Sequence, residues 1–237
     1  MKGFVALTVA ILLGTATAWA APDLLAPREN RYDVQWGSIS LGVGTIELKS
    51  LGNNCYQYRS TTDPVALVRW TYGAPSETSE FCVVDGDIRA QRFSYQNDKR
   101  RKDNFSLEFD WKHNAVRLLS NGTLSQRPLP GLAYDRFVIR EAVRLWVMRH
   151  PDPDSRPEAE FTMVDEDRVK TYRFAVTGRE TVQSPAGTFE TLRVERIDDP
   201  RKSYRYWIAP ERDYIPVKIE HVKDGKTELR MALLPDA

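Results

Sequence analysis

The chain has 237 residues, 28% charged and 41% hydrophobic, with 34 Lys and Arg against 33 Asp and Glu. That length admits one large β domain or two small ones, and so even a charge balance gives no general reason to expect nucleic acid or a bulk acidic partner. Beyond the first twenty residues no apolar run approaches the roughly 20 residues that a bilayer-spanning helix needs, which argues against a helical membrane protein.

The N-terminus carries Lys2, an apolar stretch over positions 4–13 broken only by Thr8, and Ala18-Trp19-Ala20, a small-x-small cleavage site. Residues 1–20 therefore read as a cleaved signal peptide and residues 21–237 as a single β-rich domain. No Cys follows the cleavage point to accept a lipid anchor, so the expected location is the periplasm, as a protein that does not span the membrane. Cys55 and Cys82 are the two cysteines. An even count in an oxidising compartment, without C-x-x-C spacing or a nearby His, points to a disulfide rather than a redox or metal pair.

From Tyr32 onward the dominant pattern is the period-2 alternation of strands. Tyr32, Val34 and Trp36 form one such set, and "SISLGVGTIELKS" continues it, with Gly42 and Gly44 marking a bulge or a close backbone approach. Tyr56 and Tyr58 begin another strand after Gly52-Asn53-Asn54. Phe81 and Val83 lead to the "DGD" hairpin turn at 85–87, and Phe93 and Tyr95 lie on the return strand. In "FSLEFDW", Phe105, Leu107, Phe109 and Trp111 point one way and Ser106, Glu108 and Asp110 the other, so one face is buried. "RPLPGLAYD" breaks the ladder.

Asp135 is a good N-cap for a helix from Arg136 to about Arg149. Phe137, Ile139, Ala142, Val143, Leu145 and Trp146 cover one side, and Arg136, Arg140 and Arg144 recur on the other, which reads as an exposed face able at most to hold phosphate. Further strands follow: Lys170, Tyr172, Phe174 and Val176 alternate, as do Tyr204, Tyr206 and Ile208. "WIAPERDYIPVKIEH" at 207–221 is a corner between two strands, with His221 at the far end of the apolar face set by Ile215, Val217 and Ile219.

No constellation carries chemistry. His113, His150 and His221 sit in unrelated contexts, so no metal is expected, and neither a nucleophile motif nor a phosphate-cradling glycine loop is present. Asp165, Glu166 and Asp167 read as solvated loop acids. Two features fit binding. Lys99, Arg100, Arg101 and Lys102 sit at a hairpin tip that could contact anionic lipid headgroups, and the strand aromatics, with Phe105, Phe109, Trp111 and Trp207 as candidates, could line a cavity.

"Y-x-V-x-W-G-x-I-x-L-G", "LEFDW", "SPAGTFETLRVE" and "YWIAPERDYIPVKIE", in that order over about residues 30–235, resemble the bacterial exported family known as domain of unknown function 3108. The two cysteines are not part of that pattern. The resemblance implies no activity and no catalytic residues. The closing segment is also similar, more distantly, to periplasmic lipoprotein-carrier folds, which implies a curved sheet around an apolar groove. The expected architecture is mainly β, a curved antiparallel sheet or incomplete β-barrel with one helix packed on it. The expected function is a non-enzymatic envelope protein, without a cofactor, that binds a lipid or other apolar ligand in the concavity. The alternatives are an interaction or structural module docking to an envelope protein, and a hydrolase of cell-envelope glycan or lipid.

Overall fold

The computed structural model describes residues 25–150 and 152–236, so the segment read as a signal peptide lies outside the described residues. Period-2 alternation becomes a single open sheet of fifteen strands. The first eight form an unbroken meander: β1 (Arg28–Trp36), β2 (Ile39–Gly52), β3 (Cys55–Pro64), β4 (Ser76–Val84), β5 (Asp87–Gln96), β6 (Phe105–Asp110), β7 (Ala115–Ser120) and β8 (Thr123–Pro128). The other seven are β9 (Ala133–Asp135), β10 (Glu158–Val164), β11 (Val169–Ser184), β12 (Gly187–Arg196), β13 (Lys202–Ala209), β14 (Ile215–Lys223) and β15 (Lys226–Leu233). β15 pairs with β1 at the middle of the sheet, while β8 and β9 are its edges. Every pairing is antiparallel except β9 with β10. Helix α1 (Ala66–Thr71) joins β3 to β4, and α2 (Ile139–Arg149) joins β9 to β10.

Local chemistry sets the turns. Asp85 and Gly86 both take positive φ, 54° and 85°, the double left-handed turn that an Asp-Gly hairpin favours. Gly42 sits at φ 123° beside a register shift between Val34 and Gln35, and a Cβ there would collide with the Asp63 carbonyl. The bulge read from the sequence is therefore a close approach that only glycine allows. The corner after β13 is a 3-10 turn, Pro210–Arg212, with Asp213 and Tyr214 left-handed. The expected disulfide is present: Cys55 and Cys82 face each other across β3 and β4.

The sheet is strongly curved, as two contacts of one side chain show. The Arg136 guanidinium lies 5.0 Å from the Phe105 ring on β6 and 3.5 Å from Asp165, just after β10. Flat, those strands would stand about 50 Å apart at the usual ~4.8 Å spacing. Bridges also cross the gap between the edges: Ser120 Oγ donates to Glu166 Oε1 at 2.6 Å, and Arg127 donates to the Glu166 carbonyl at 2.6 Å. Thus Asp165 and Glu166 are engaged in bridging, not the solvated acids expected.

Within this curve lies α2, which corrects the expected exposed arginine face. The helix starts at Ile139, with 136–138 forming a preceding turn, and Glu141 and Arg144 are as buried as its apolar residues. The reason is enclosure: the sheet covers the polar side of the helix as well as the apolar side, so its charges must be neutralised inside. Glu141 Oε1 accepts from Arg144 and from Arg28 of β1, each at 2.6 Å, and Arg144 also donates to the Asp213 carbonyl at 2.6 Å. Burial alone would raise the Glu141 carboxyl, but Arg144 and Arg28 outweigh it and hold the group below its ordinary value.

Replacing Glu141 by Gln leaves two enclosed cations without their counter-ion and is expected to lower unfolding free energy by roughly 3–5 kcal/mol, read from urea denaturation. Replacing both Cys55 and Cys82 by Ser is expected to cost roughly 3 kcal/mol by the chain-entropy account, with dithiothreitol producing the same shift in the wild type and none in the variant.

Candidate functional site

The site is built on the segment that leads into α2. Asp135 ends β9 fully buried, and its Oδ1 accepts the backbone N–H groups of Phe137 and Val138, at 2.9 and 2.8 Å, and the Ser79 hydroxyl at 2.8 Å. It thus caps the segment, as the sequence predicts. Its Oδ2 has no hydrogen-bond partner among the described residues. Burial outweighs the donors and pushes the carboxyl up to about 7.

The next residue, Arg136, donates from Nε to Glu77 Oε1 at 2.7 Å and lies over the rings of Tyr95 and Phe105. One helical turn on, Arg140 points into a cavity of about 380 Å³ between α2 and strands β10, β11 and β13. Ile139, Met163 and Phe174 give it an apolar wall, and Tyr172, Tyr204 and Tyr206 an aromatic one tipped with hydroxyls. Among the described residues Arg140 has no hydrogen-bonding or carboxylate partner within ion-pair distance, and its guanidinium lies 5.5 Å over the Phe137 ring. Burial acts to lower its pKa, but Tyr206, Glu77 and Tyr58 around it outweigh this and raise it, so it stays a cation. Burial also pushes the Tyr206 hydroxyl up to about 12, so it remains a neutral donor at neutral pH. The combination of apolar walls, hydroxyls and one free guanidinium suits an amphipathic anion.

The Glu77–Arg136 pair divides this cavity from a second recess of about 400 Å³ bordered by Tyr72, Tyr95 and Phe105. Phe105 is thus the one proposed lining residue that borders a space on the α2 side. Phe109 is buried on the same strand face and stacks on Trp111 at 6.1 Å, while Trp111 donates from Nε1 to the Ala90 carbonyl at 2.7 Å, so both serve as packing. Trp207 lies on the opposite face of the sheet: Tyr206 and Ile208 turn inward, and Trp207 pairs with Glu180 at 2.6 Å beneath Lys218. The four aromatics do not share a surface, because strand parity alone does not say which face is concave.

His221 is half-buried and stacked on Tyr204 at 4.8 Å, with Glu228 at 3.6 Å, the strand-end position expected. Burial lowers its pKa despite that carboxylate. Lys99, Arg100, Arg101 and Lys102 are all exposed on the β5–β6 connection, far from Trp207 in sheet order. The residues missed as a site are Arg140, Tyr172, Tyr204 and Tyr206. Each stood in a recognised pattern, but nothing in sequence placed the helix inside the curve of the sheet and so brought these patterns together.

Among known proteins, the family described as a protein of unknown function, DUF3108, matches residues 31–232. No curated protein matches the chain. A crystal structure from Bacteroides fragilis, described as an exported protein with a YmcC-like fold, aligns at 12% identity with a TM-score of 0.37, covering 87% of this chain and 93% of that one.

The Asp135 carboxyl gives a pH signature. Its folded-state pKa of about 7 exceeds the 3.8 of an ordinary Asp, so the folded protein keeps a proton that the unfolded chain releases. Its contribution is fully present below pH 4, declines as pH rises, and is gone above pH 7, a span of roughly 4 kcal/mol. Asp135→Asn keeps an Oδ1 acceptor and has no proton to lose, so its thermal midpoint is expected to drop less than the wild type's between pH 5 and pH 8.

Proposed function

Because the chain belongs to the DUF3108 family, which brings no activity with it, we propose from its geometry that it is a non-enzymatic binding protein whose ligand is a lipid or other amphipathic molecule bearing a carboxylate or phosphate. The observation that carries this is Arg140, a half-buried cation lining a cavity of about 380 Å³ with no direct ion-pair or hydrogen-bonding partner among the described residues. Every other arginine of the α2 segment up to Arg144 has a carboxylate beside it. An enclosed cation is costly unless paired, and a ligand anion would supply the pair while its apolar body rests on Ile139, Met163 and Phe174. The volume lies in the range of small-molecule sites. It is less than the open groove expected from the sequence, because α2 occupies most of the concavity.

A non-catalytic role fits the lining, which holds tyrosines, arginines and carboxylates already in ion pairs, and no His, Ser or Cys. Export to an oxidising compartment belongs to the same proposal, supported by the cross-strand disulfide.

Native mass spectrometry of protein purified from its own host is expected to show a stoichiometric adduct that solvent extraction releases as an amphipathic anion. Arg140→Gln is expected to weaken binding of a fluorescent fatty acid by roughly tenfold or more, the worth of one charge-assisted hydrogen bond, while leaving the thermal midpoint near the wild-type value. An apo mass together with no fatty-acid or lysophospholipid binding would overturn the reading.

A further inference from the structure

Strand direction sorts the connections of the N-terminal meander into two ends. The β1–β2, β3–β4, β5–β6 and β7–β8 connections emerge together at one end, and the other three at the opposite end. Exposed apolar side chains follow that division. Trp36 and Ile39 flank the β1–β2 turn at 50% and 64% exposure, Leu67 and Trp70 stand out from α1 at 69% and 75%, and Leu124 opens β8 at 68%. Helix α1 buries none of its residues. At the opposite end of this half the exposed large hydrophobics among the described residues are Leu51, at 53%, and Leu132 on the connection leaving β8, at 40%.

The remaining connection at the apolar end is the basic tip. Lys99, Arg100, Arg101 and Lys102 are exposed, and with Asp98 and Asp103 they leave a net charge of two positive units. The tip is fastened to the exit of α1. The buried Asn97 side chain donates to the Tyr72 carbonyl at 3.0 Å, and Arg100 lies 4.5 Å over the Tyr72 ring. Gly73, at φ 94°, lets the two segments approach, since a Cβ there would strike Asn97 and Lys99. The basic tip is thereby held beside α1.

We propose that this end of the sheet docks on an anionic phospholipid membrane, with Trp36, Ile39, Leu67 and Trp70 entering the interface and Lys99–Lys102 meeting the headgroups. Charge complementarity selects the membrane: a surface that pairs exposed Trp and Leu with adjacent cations matches the layered chemistry of an anionic bilayer, apolar beneath negative. The shape agrees. These side chains protrude as pairs from two separate connections, Trp36 with Ile39 and Leu67 with Trp70, and a fluid bilayer fills around such projections. The arrangement brings the cavity to the membrane, because Arg168 and Tyr204 at its rim lie at this same end. The inference does not depend on the cavity holding a ligand.

Co-sedimentation with phosphatidylcholine vesicles and with vesicles enriched in phosphatidylglycerol tests it. The protein is expected to sediment with the anionic vesicles, less as salt is raised, and to show quenching of its tryptophan fluorescence by brominated lipid. The pair Leu67→Ser with Trp70→Ser, and the pair Lys99→Glu with Arg101→Glu, are each expected to lower the vesicle partition coefficient by about tenfold or more. All four side chains are exposed, so unchanged thermal midpoints would show that the variants fold. Equal sedimentation with both vesicle types, or folded variants that partition like the wild type, would overturn the proposal. Wild type that stays in the supernatant at low salt would overturn it too and assign the surface to a protein partner.

Discussion

Enclosing a charged helix is the constraint on which the rest of this structure depends. A sheet that covers α2 on its polar side as well as its apolar side removes water from Glu141 and Arg144, and the fold answers with Arg28 from β1 and the carbonyl of Asp213 from the β13–β14 corner. These partners come from opposite sides of the β1–β15 seam, so neutralising the helix also fixes the curvature of the sheet. Asp135 and Arg136 act the same way a turn earlier, reaching Ser79 and Glu77 on β4. A buried ionic network of this kind contributes little net stability but penalises alternative packings heavily. Arg140 departs from the pattern, with aromatic neighbours and open space where the others have carboxylates.

The alternation of apolar and polar residues made the strands legible, and turn chemistry at Asp85-Gly86 and Gly42 located hairpin and bulge. The corner at Pro210–Arg212 was legible for the same reason: a proline, short charged residues and then a fresh apolar alternation have few other uses. What sequence did not contain was the side of the sheet that would become concave. Strand parity puts Phe105 and Phe109 on one face and Trp207 on some face of its own strand, but relating strands that are distant in the chain needs the register of every strand between them. Trp207 fell on the outer side for that reason. The helix posed the same difficulty. An arginine at every fourth position reads as a solvated stripe, and only the wrapping sheet turns it inward. Helix α1 and strand β8 escaped notice because neither has an apolar face that meets a core: six residues with none buried leave no periodicity to find, and β8 is a polar edge.

The cavity and the apolar end are two products of one geometry. An antiparallel meander brings alternate connections to the same end, so the connections that carry Trp36, Trp70 and the basic tip share a direction with the rim residues Tyr204 and Arg168. The opposite end carries the ring pairs Phe109–Trp111 and Trp146–Phe161, with a smaller recess beside Trp146. The shared direction of the apolar connections and the cavity rim therefore needs no special element and follows from strand order alone.

Strand order has a kinetic consequence too. Thirteen of the fourteen pairings in the sheet join strands near one another in the chain, and each can form as soon as its hairpin or crossover exists. The exception is β1 with β15, where Tyr32 faces Leu233 across nearly the whole described chain. Closing a loop of that length is entropically the slowest contact in the sheet. The two meanders can therefore assemble separately, each with its seam strand, β1 or β15, still unpaired, until those two strands meet. Until that moment the pocket has only part of its wall and α2 only part of its cover, so the molecule acquires its interior in a single late event.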